Sequence, residues 1–393
     1  NGLEKRPKLR FPGFDEPWMT RKLGEMGTFI KGAPLSKADI SDEGTPFILY
    51  GELYTTYSEV TNSVKRKTDK TVEHQFYSKI GDVIMPTSGE TPEDIATASC
   101  IMIPDVILAG DLLIYRTEQI DGRFVSFCVK NKVNKQISSV AQGKSVVHVR
   151  AEELSKISVT FPALDEQQKI LSLLESIDRR IATQQKLIET LKKYKRGLLM
   201  HYFSDDRTQQ WTHYSISQIG KVITGSTPPT NDRSNYDGEL LFCSPGDVGE
   251  EKYISSTEKR VSPKGFALGR PLPPNSVIVT CIGLIGKLGI ATTGMITNQQ
   301  INALVVSEGF DHEFIYYAFE NFFPEYRSKV SMQTLPILSK SEFEKLIIKA
   351  PVLDVQLKIS SHLASMDRRI EHTQKELNLL FEQRRGIIQQ LFI

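Results

Sequence analysis

The sequence predicts an α+β protein built as a tandem duplication, with two mixed α/β globules and two long antiparallel coiled-coil helices related by pseudo-two-fold symmetry. Three observations carry this. The stretch from Pro162 to Phe203 returns without a gap, 189 positions later, as the stretch from Pro351. Both copies have heptad spacing, and the segments before each copy have the short apolar runs and turn residues of β-structure.

The repeat superposes Pro162 on Pro351, Leu164 on Leu353, Asp165 on Asp354, Gln167 on Gln356 and Lys169-Ile170 on Lys358-Ile359. Asp178-Arg179-Arg180-Ile181 falls on Asp367-Arg368-Arg369-Ile370, Arg196-Gly197 on Arg385-Gly386 and Phe203 on Phe392. A period of this length exceeds that of a solenoid repeat and indicates a duplicated domain-plus-helix unit. The division is 1–161 and 204–350 for the two globules, 162–203 and 351–393 for the helices.

In the first helix the seam is Leu174, Ile177, Ile181, Ile188, Leu191, Leu198 and Tyr202; in the second it is Leu363, Met366, Ile370, Leu377, Leu380, Ile387 and Leu391. Even the breaks coincide, Gln184 with Thr373 and Lys195 with Arg384. Asp165 and Asp354 stand where an N-cap is expected, Glu166 adds negative charge to the first turn, and Lys192, Lys193, Lys195 and Arg196 crowd the last turns. A helix of nearly forty residues is roughly 55–60 Å long. An isolated heptad run reads equally well as a dimerising coil. Two matched copies in one chain, however, pair with each other at high effective concentration, and antiparallel pairing places the globules at opposite ends of a rod.

Strands are expected at Phe47–Tyr50, Asp82–Met85, Asp111–Tyr115, Val277–Thr280 and Ile301–Val305. The globules are themselves weakly repeated: Trp18 and Trp211 lie 193 apart, and at that shift Gly27 meets Gly220 and Gly32 meets Gly225. Each globule is large enough to bury its own core.

Forty-nine bases against forty-seven acids leave a net charge of +2, so polyanion binding has to come from local patches. Val277 to Ile285, the longest apolar stretch, is too short to span a membrane. The basic start around Lys5-Arg6-Pro7-Lys8 leads into no signal-peptide core. Cys100, Cys128, Cys243 and Cys281 are isolated, as expected of reduced, buried thiols in a cytosolic protein.

Motifs for chemistry are missing: there is no phosphate loop, nucleophile elbow, metal-binding His-Glu-x-x-His or dinucleotide fingerprint. Gly283-Leu284-Ile285-Gly286-Lys287-Leu288-Gly289 has the wrong spacing for a phosphate loop and reads as a glycine-punctuated hairpin. Pro228-Pro229 and Pro273-Pro274 lack the flanking residues of an amino-methyltransferase motif, and His312 reads as a polar helix start. No catalytic role and no metal are expected.

Residue types suited to nucleic acid occur in patches. Lys65, Arg66 and Lys67 form one, and Lys130, Lys132 and Lys135 another, with Lys144 beyond. The second globule has a long polar loop carrying Thr227, Thr230, Asn231, Arg233 and Asn235, then Lys287 and the triplet Asn298, Gln299 and Gln300. Asn and Gln read adenine edges, and Arg and Lys bind guanine edges or phosphates. Any one patch taken alone reads as a solvated loop. Two globules on a rod, by contrast, suit two half-sites at fixed spacing.

The order globule, helix, globule, helix, with Pro-x-Leu-Asp-x-Gln-x-Lys-Ile opening each helix and Asp-Arg-Arg-Ile inside it, resembles the DNA-specificity subunit of Type I restriction-modification systems. Pro7-Lys8-Leu9-Arg10-Phe11-Pro12-Gly13-Phe14, Thr224-Gly225-Ser226-Thr227-Pro228, Ser244-Pro245-Gly246-Asp247 and Thr297-Asn298-Gln299-Gln300-Ile301-Asn302 are similar to stretches of that family. The resemblance implies a cytoplasmic, non-catalytic subunit that reads a bipartite double-stranded DNA target. It implies docking, on the helices and their seam residues, of two modification subunits and of motor-nuclease subunits. No cofactor is implied in this chain; S-adenosylmethionine, ATP and Mg belong to the partners. The alternative is a two-headed coiled-coil adaptor for partners other than nucleic acid.

Overall fold

The computed structural model describes residues 7–141, 143, 146–249, 251–329 and 336–392. The chain divides into two compact units: one runs to Thr183 and regains the segment from Glu376, and the other is Gln184–Lys375. Each unit therefore holds a globule, part of the helix Leu164–Tyr202 and part of the helix Leu353–Leu391.

In the first unit the strands are β1 (Met19–Lys22), β2 (Gly27–Lys31), β3 (Thr45–Leu49), β4 (Val60–Thr61), β5 (Arg66–Thr68), β6 (Asp82–Pro86), β7 (Ser88–Gly89), β8 (Ser99–Ile101), β9 (Ile107–Ala109), β10 (Leu112–Thr117), β11 (Val147–His148) and β12 (Ser158–Phe161). They form a five-stranded sheet in the order β2-β10-β6-β8-β4, a three-stranded sheet β5-β3-β9, and the pairs β1-β12 and β7-β11. The second unit has β13 (Thr212–Ser215), β14 (Gly220–Thr224), β15 (Tyr236–Cys243), β16 (Tyr253–Ile254), β17 (Lys259–Val261), β18 (Val277–Thr280), β19 (Leu288–Ala291), β20 (Met295–Thr297), β21 (Ile301–Val306) and β22 (Ile347–Ala350). Its sheets, β14-β21-β18-β19-β16, β17-β15-β20 and β13-β22, repeat the five-stranded sheet, the three-stranded sheet and the β1-β12 pair of the first unit; among the described residues the β7-β11 pair has no counterpart. The lone parallel pair of each five-stranded sheet recurs as well, β4 with β8 and β16 with β19.

All five expected strands form, and the glycine run after β18 is the expected hairpin into β19. Gly27 and Gly220 recur for a steric reason. Each opens the first strand of a five-stranded sheet, and a Cβ there would meet the Arg116 carbonyl oxygen at 2.4 Å or that of Val305 at 2.2 Å. The tryptophans recur because each closes an aromatic joint. Trp18 packs edge-on to Phe124, which lies against Phe392; Trp211 packs on Phe314 and Phe203. Both phenylalanines that end the repeat are thus spent on fixing a helix end to a globule.

Within each unit the two helix segments run antiparallel. Gln184 faces Thr373 in the second unit, where Lys195 also pairs with Asp367 and Tyr202 with His362; Asp178 pairs with Arg384 in the first. Leu174, Ile177, Ile181, Ile188, Leu191, Leu363, Met366, Leu377 and Leu380 are buried, and Ile370 is half-buried. These side chains form the apolar stripe of the two helices. The seam departs from the sequence reading at its ends: Leu199 and Ile388 are buried, whereas Leu198 and Ile387 are only partly so. A 3.6-residue turn drifts against a strict heptad, and here the helix faces turn toward the globule cores.

The helix starts also correct an expectation. Ala163 and Val352 occupy the N-cap positions, their carbonyls accepting from Gln167 and Gln356 N at 3.1 Å, so Asp165 and Asp354 lie inside the first turn. There they act on the helix dipole rather than as caps. The motif glutamine does the anchoring. Gln167 Nε2 donates to the Pro162 carbonyl at 2.8 Å while its Oε1 accepts from Asp121 N at 3.0 Å; Gln356 repeats this with Pro351 at 2.8 Å and Asp311 at 2.9 Å. Both glutamines are buried, so each ties a long helix to the start of a globule helix, Gly122–Asn131 or His312–Lys329.

Candidate nucleic-acid interface

In the second unit, strand register gathers the family-like segments at one end of the sheets. β14 ends at Thr224 opposite Asn302, β18 at Thr280 opposite Ile301, and β15 at Cys243 beside Thr297. The segments 225–235, 244–247, 281–287 and 298–300 leave from that end. Backbone bonds stitch them together: Gly225 N to the Ile301 carbonyl, Ser226 N to Thr297, Asn298 N to Cys243 and Cys281 N to Gln300, at 2.8–3.0 Å. Gly225 has no room for a side chain, because a Cβ would lie 2.1 Å from the Asn298 carbonyl oxygen.

Among the sequence candidates, Thr227 and Gln299 are brought together, the threonine hydroxyl donating to Gln299 Oε1 at 2.7 Å, and both are exposed. Thr230, Asn231 and Arg233 are exposed along the same loop. Asn298 and Gln300 brace their own turn: Asn298 Nδ2 donates to Gln300 Oε1 and Gln300 N to Asn298 Oδ1, both at 3.1 Å. Lys287 is half-buried, its stem lying along Gly249. Asn235 is a correction. It is 1% exposed and donates to the Pro229 carbonyl at 3.0 Å, so it pins the loop from beneath and cannot reach a base edge.

The first unit treats its cations differently. Lys65, Arg66 and Lys67 sit at and on β5, an edge strand, not on a loop between strands. Lys65 and Lys67 are exposed, but Arg66 is ion-paired at 3.0 Å to the buried Glu52, which also accepts from Leu49 N. The cluster is therefore not three free charges. Lys130, Lys132 and Lys135 do not act together either. Lys132 turns inward over Trp18, 5.3 Å from the ring centre, and burial pushes its pKa down. Lys130 pairs with Glu59 at 3.4 Å, and Lys135 is exposed. Lys130 and Lys135 line one cleft of about 760 Å³ with Tyr54, Tyr57, Asn134 and Ser138. Lys144 lies outside the described residues.

The strongest electrostatics lie where globule meets helix. Arg384 donates to Asp178 at 2.6 Å and to Glu59 at 2.9 Å, and Glu59 also holds Lys130. In the second unit Lys195 binds Asp367 at 2.7 Å and Glu320 at 2.9 Å; Lys252 binds Glu313 at 2.9 Å and the Tyr317 hydroxyl at 2.8 Å, and that hydroxyl donates to Asp367 at 2.5 Å. Burial alone would raise the Glu59 carboxyl, but Lys130 and Arg384 override it and hold it below its usual range. Burial likewise disfavours charged Lys195, yet Glu320 and Asp367 raise its pKa; Glu320 is itself raised, chiefly by burial. The coincident seam breaks Lys195 and Arg384 and the repeated Asp178 and Asp367 signalled half of each network. The globule carboxylates gave no signal.

All four cysteines are free and buried, and desolvation pushes the Cys281 thiol to about 11. Among the described residues no group of His, Cys, Asp and Glu is arranged to hold a metal, and no helix is long and apolar enough to cross a membrane.

Comparison with known proteins places this architecture. The family model for the Type I restriction modification DNA specificity domain matches twice, over residues 15–193 and 208–380. The chain is similar to the Type I restriction enzyme MjaIX specificity subunit of Methanocaldococcus jannaschii, with 29% identity over 178 residues; the match covers 44% of this chain and 41% of that relative, well under half its length. With the MjaVIII specificity subunit of the same organism it shares 23% identity over 400 residues, 94% of this chain and 89% of the relative. The fold resembles the crystal structure of the Type I restriction-modification S subunit from M. genitalium, with a TM-score of 0.64 at 16% identity over 98% of this chain and 99% of that one. Two matched copies spanning nearly the whole sequence, on a fold that repeats its five-stranded sheet, its three-stranded sheet and a two-stranded pair, show that the chain belongs to the family of Type I restriction-modification DNA-specificity subunits.

Proposed function

We propose that this chain recognises a bipartite double-stranded DNA target, each unit reading one half-site, and that it docks two modification subunits and motor-nuclease subunits on its helices. The chain itself performs no chemistry; S-adenosylmethionine, ATP and Mg are used by the partners. The observation that carries the reading is the gathering of the family-like polar segments at one end of the second unit's sheets. One scaffold is thus present twice, with different side chains at its loops, as two different half-sites require.

The test is binding by the chain alone and with a modification subunit, across 50–200 mM salt. The isolated chain is expected to bind weakly, and the complex tightly, with sequence preference and a steep salt dependence. A two-headed adaptor for other ligands would show no such DNA affinity. Methylome sequencing then gives the target. Inserting four residues after Leu187 lengthens one helix by ~6 Å and is expected to change the non-specific spacer by one or two base pairs with both half-sites intact. An unchanged spacer at full activity would remove the helices as the ruler.

A further inference from the structure

Arg270 belongs to none of the sequence patches that suggested DNA contact, yet it is held at the end of the second unit's sheets where the polar segments gather. Its guanidinium Nη1 donates at 3.0 Å to the carbonyl of Thr224, the last residue of β14. That anchor is rigid. Thr224 Oγ1 donates to Asn302 Oδ1 at 2.7 Å, and Asn302, buried in β21, donates to the Leu338 carbonyl at 3.2 Å. The backbone is fixed as well, since Leu272, two residues on, exchanges hydrogen bonds with Met295 of β20 at 2.8 and 3.2 Å. The side chain is nevertheless exposed, and its Nε and Nη2 have no hydrogen-bond or ion-pair partner among the described residues. Lys264 nearby in sequence differs: its charge is spent on Asp232 at 2.8 Å. One edge of the Arg270 fork is therefore held by the sheet end, and the rest is presented to solvent.

A pre-oriented, planar fork of N–H donors matches the O6 and N7 acceptors of guanine in the major groove. The stretch that Arg270 grips continues directly to Ser226 and to Thr227, which orients Gln299. Its surroundings thus carry the exposed Gln299 carboxamide, a group of the type that pairs with base edges, whereas a phosphate contact needs no such tether. We infer that Arg270 is a specificity-determining residue that reads a guanine within the half-site of the second unit. This rests on the DNA-reading function proposed above.

The experiment uses the whole chain with its modification subunit, comparing wild type, Arg270→Ala and Arg270→Lys by methylome sequencing and by binding to duplexes varied one base pair at a time. Both variants are expected to lose on the order of 10- to 100-fold in discrimination at a single G·C position of one half-site, the other half-site being unchanged. If Arg270→Ala also lowers the thermal midpoint, Arg270→Lys, which keeps the charge and loses the fork, decides. An unchanged motif, or an equal loss on every sequence with a shallower salt dependence, overturns the assignment. A wild-type complex with no sequence preference overturns the DNA-reading proposal itself.

Discussion

Glu59 stands in the first unit where Lys252 stands in the second: each immediately precedes the strand that pairs in parallel, and each backbone carbonyl accepts from the neighbouring strand, from Cys100 at 2.9 Å and from Ile290 at 2.8 Å. The charge reversal is compensated on the globule helix, which offers Lys130 in the first unit and Glu320 in the second. Each joint keeps one acid from its globule for the base on the long helix. Glu59→Lys is therefore expected to cost roughly 3–5 kcal/mol, because the half-buried Arg384 loses a buried partner. Adding Lys130→Glu, which rebuilds the second unit's arrangement, should recover at least half of that. Denaturant melts of the single and double variants measure it.

The same networks give the units opposite pH limits. Glu59 is depressed in the folded chain, so its contribution is present above the unfolded value of about 4.3 and is lost as pH falls through the folded value. Lys195 is raised, so its contribution is complete below about 10.4 and is lost as pH rises through the folded value. Thermal midpoints measured from acid to alkaline pH should show Glu59→Gln flattening the acid arm alone and Lys195→Met the alkaline arm alone.

Gln167→Ala and Gln356→Ala should each cost about 1–3 kcal/mol, since each strands a part-buried backbone N–H and a proline carbonyl. Equal losses from the two variants are expected, because the two clamps differ by no more than 0.1 Å in any bond. A glutamine that could be removed freely would show that water replaces it.

Under the proposed function, the lysines at the start of β5 and the loop asparagine should behave differently. Lys65→Ala and Lys67→Ala remove exposed charges and should weaken binding to all sequences alike, each lowering the salt slope by about one. Arg66→Ala should in addition destabilise the first unit, since it leaves Glu52 buried without its ion-pair partner. Asn235→Ala should loosen the 225–235 loop and reduce affinity without changing which base is preferred. Binding selections with randomised half-sites separate these outcomes.

The helices, their pairing and five of the strands were legible in the sequence because periodicity is a local signal, and the duplication sharpened it by presenting each helix twice; the longest strand, β15, was not read. What was not legible depended on partners remote in the chain. Arg66 reads as a free base until Glu52 folds against it, Lys132 until Trp18 lies beneath it, and Asn235 until Pro229 closes over it. Leu198 and Ile387 were favoured over Leu199 and Ile388 because a heptad template cannot register where a helix leaves its partner for a globule. Arg270 carried no pattern at all; its role follows from one bond to a carbonyl 46 positions away.

The recurring aromatic joint has a spectroscopic consequence. Each unit contains a single indole, at the point where a helix end meets the globule, and the two differ in exposure: Trp18 is 2% exposed and Trp211 half-buried. Emission from Trp18 should be blue-shifted relative to Trp211. Replacing either by phenylalanine therefore leaves a chain whose fluorescence reports on one joint alone, so that unfolding, or the arrival of a partner, can be assigned to one half of a protein whose halves otherwise look alike.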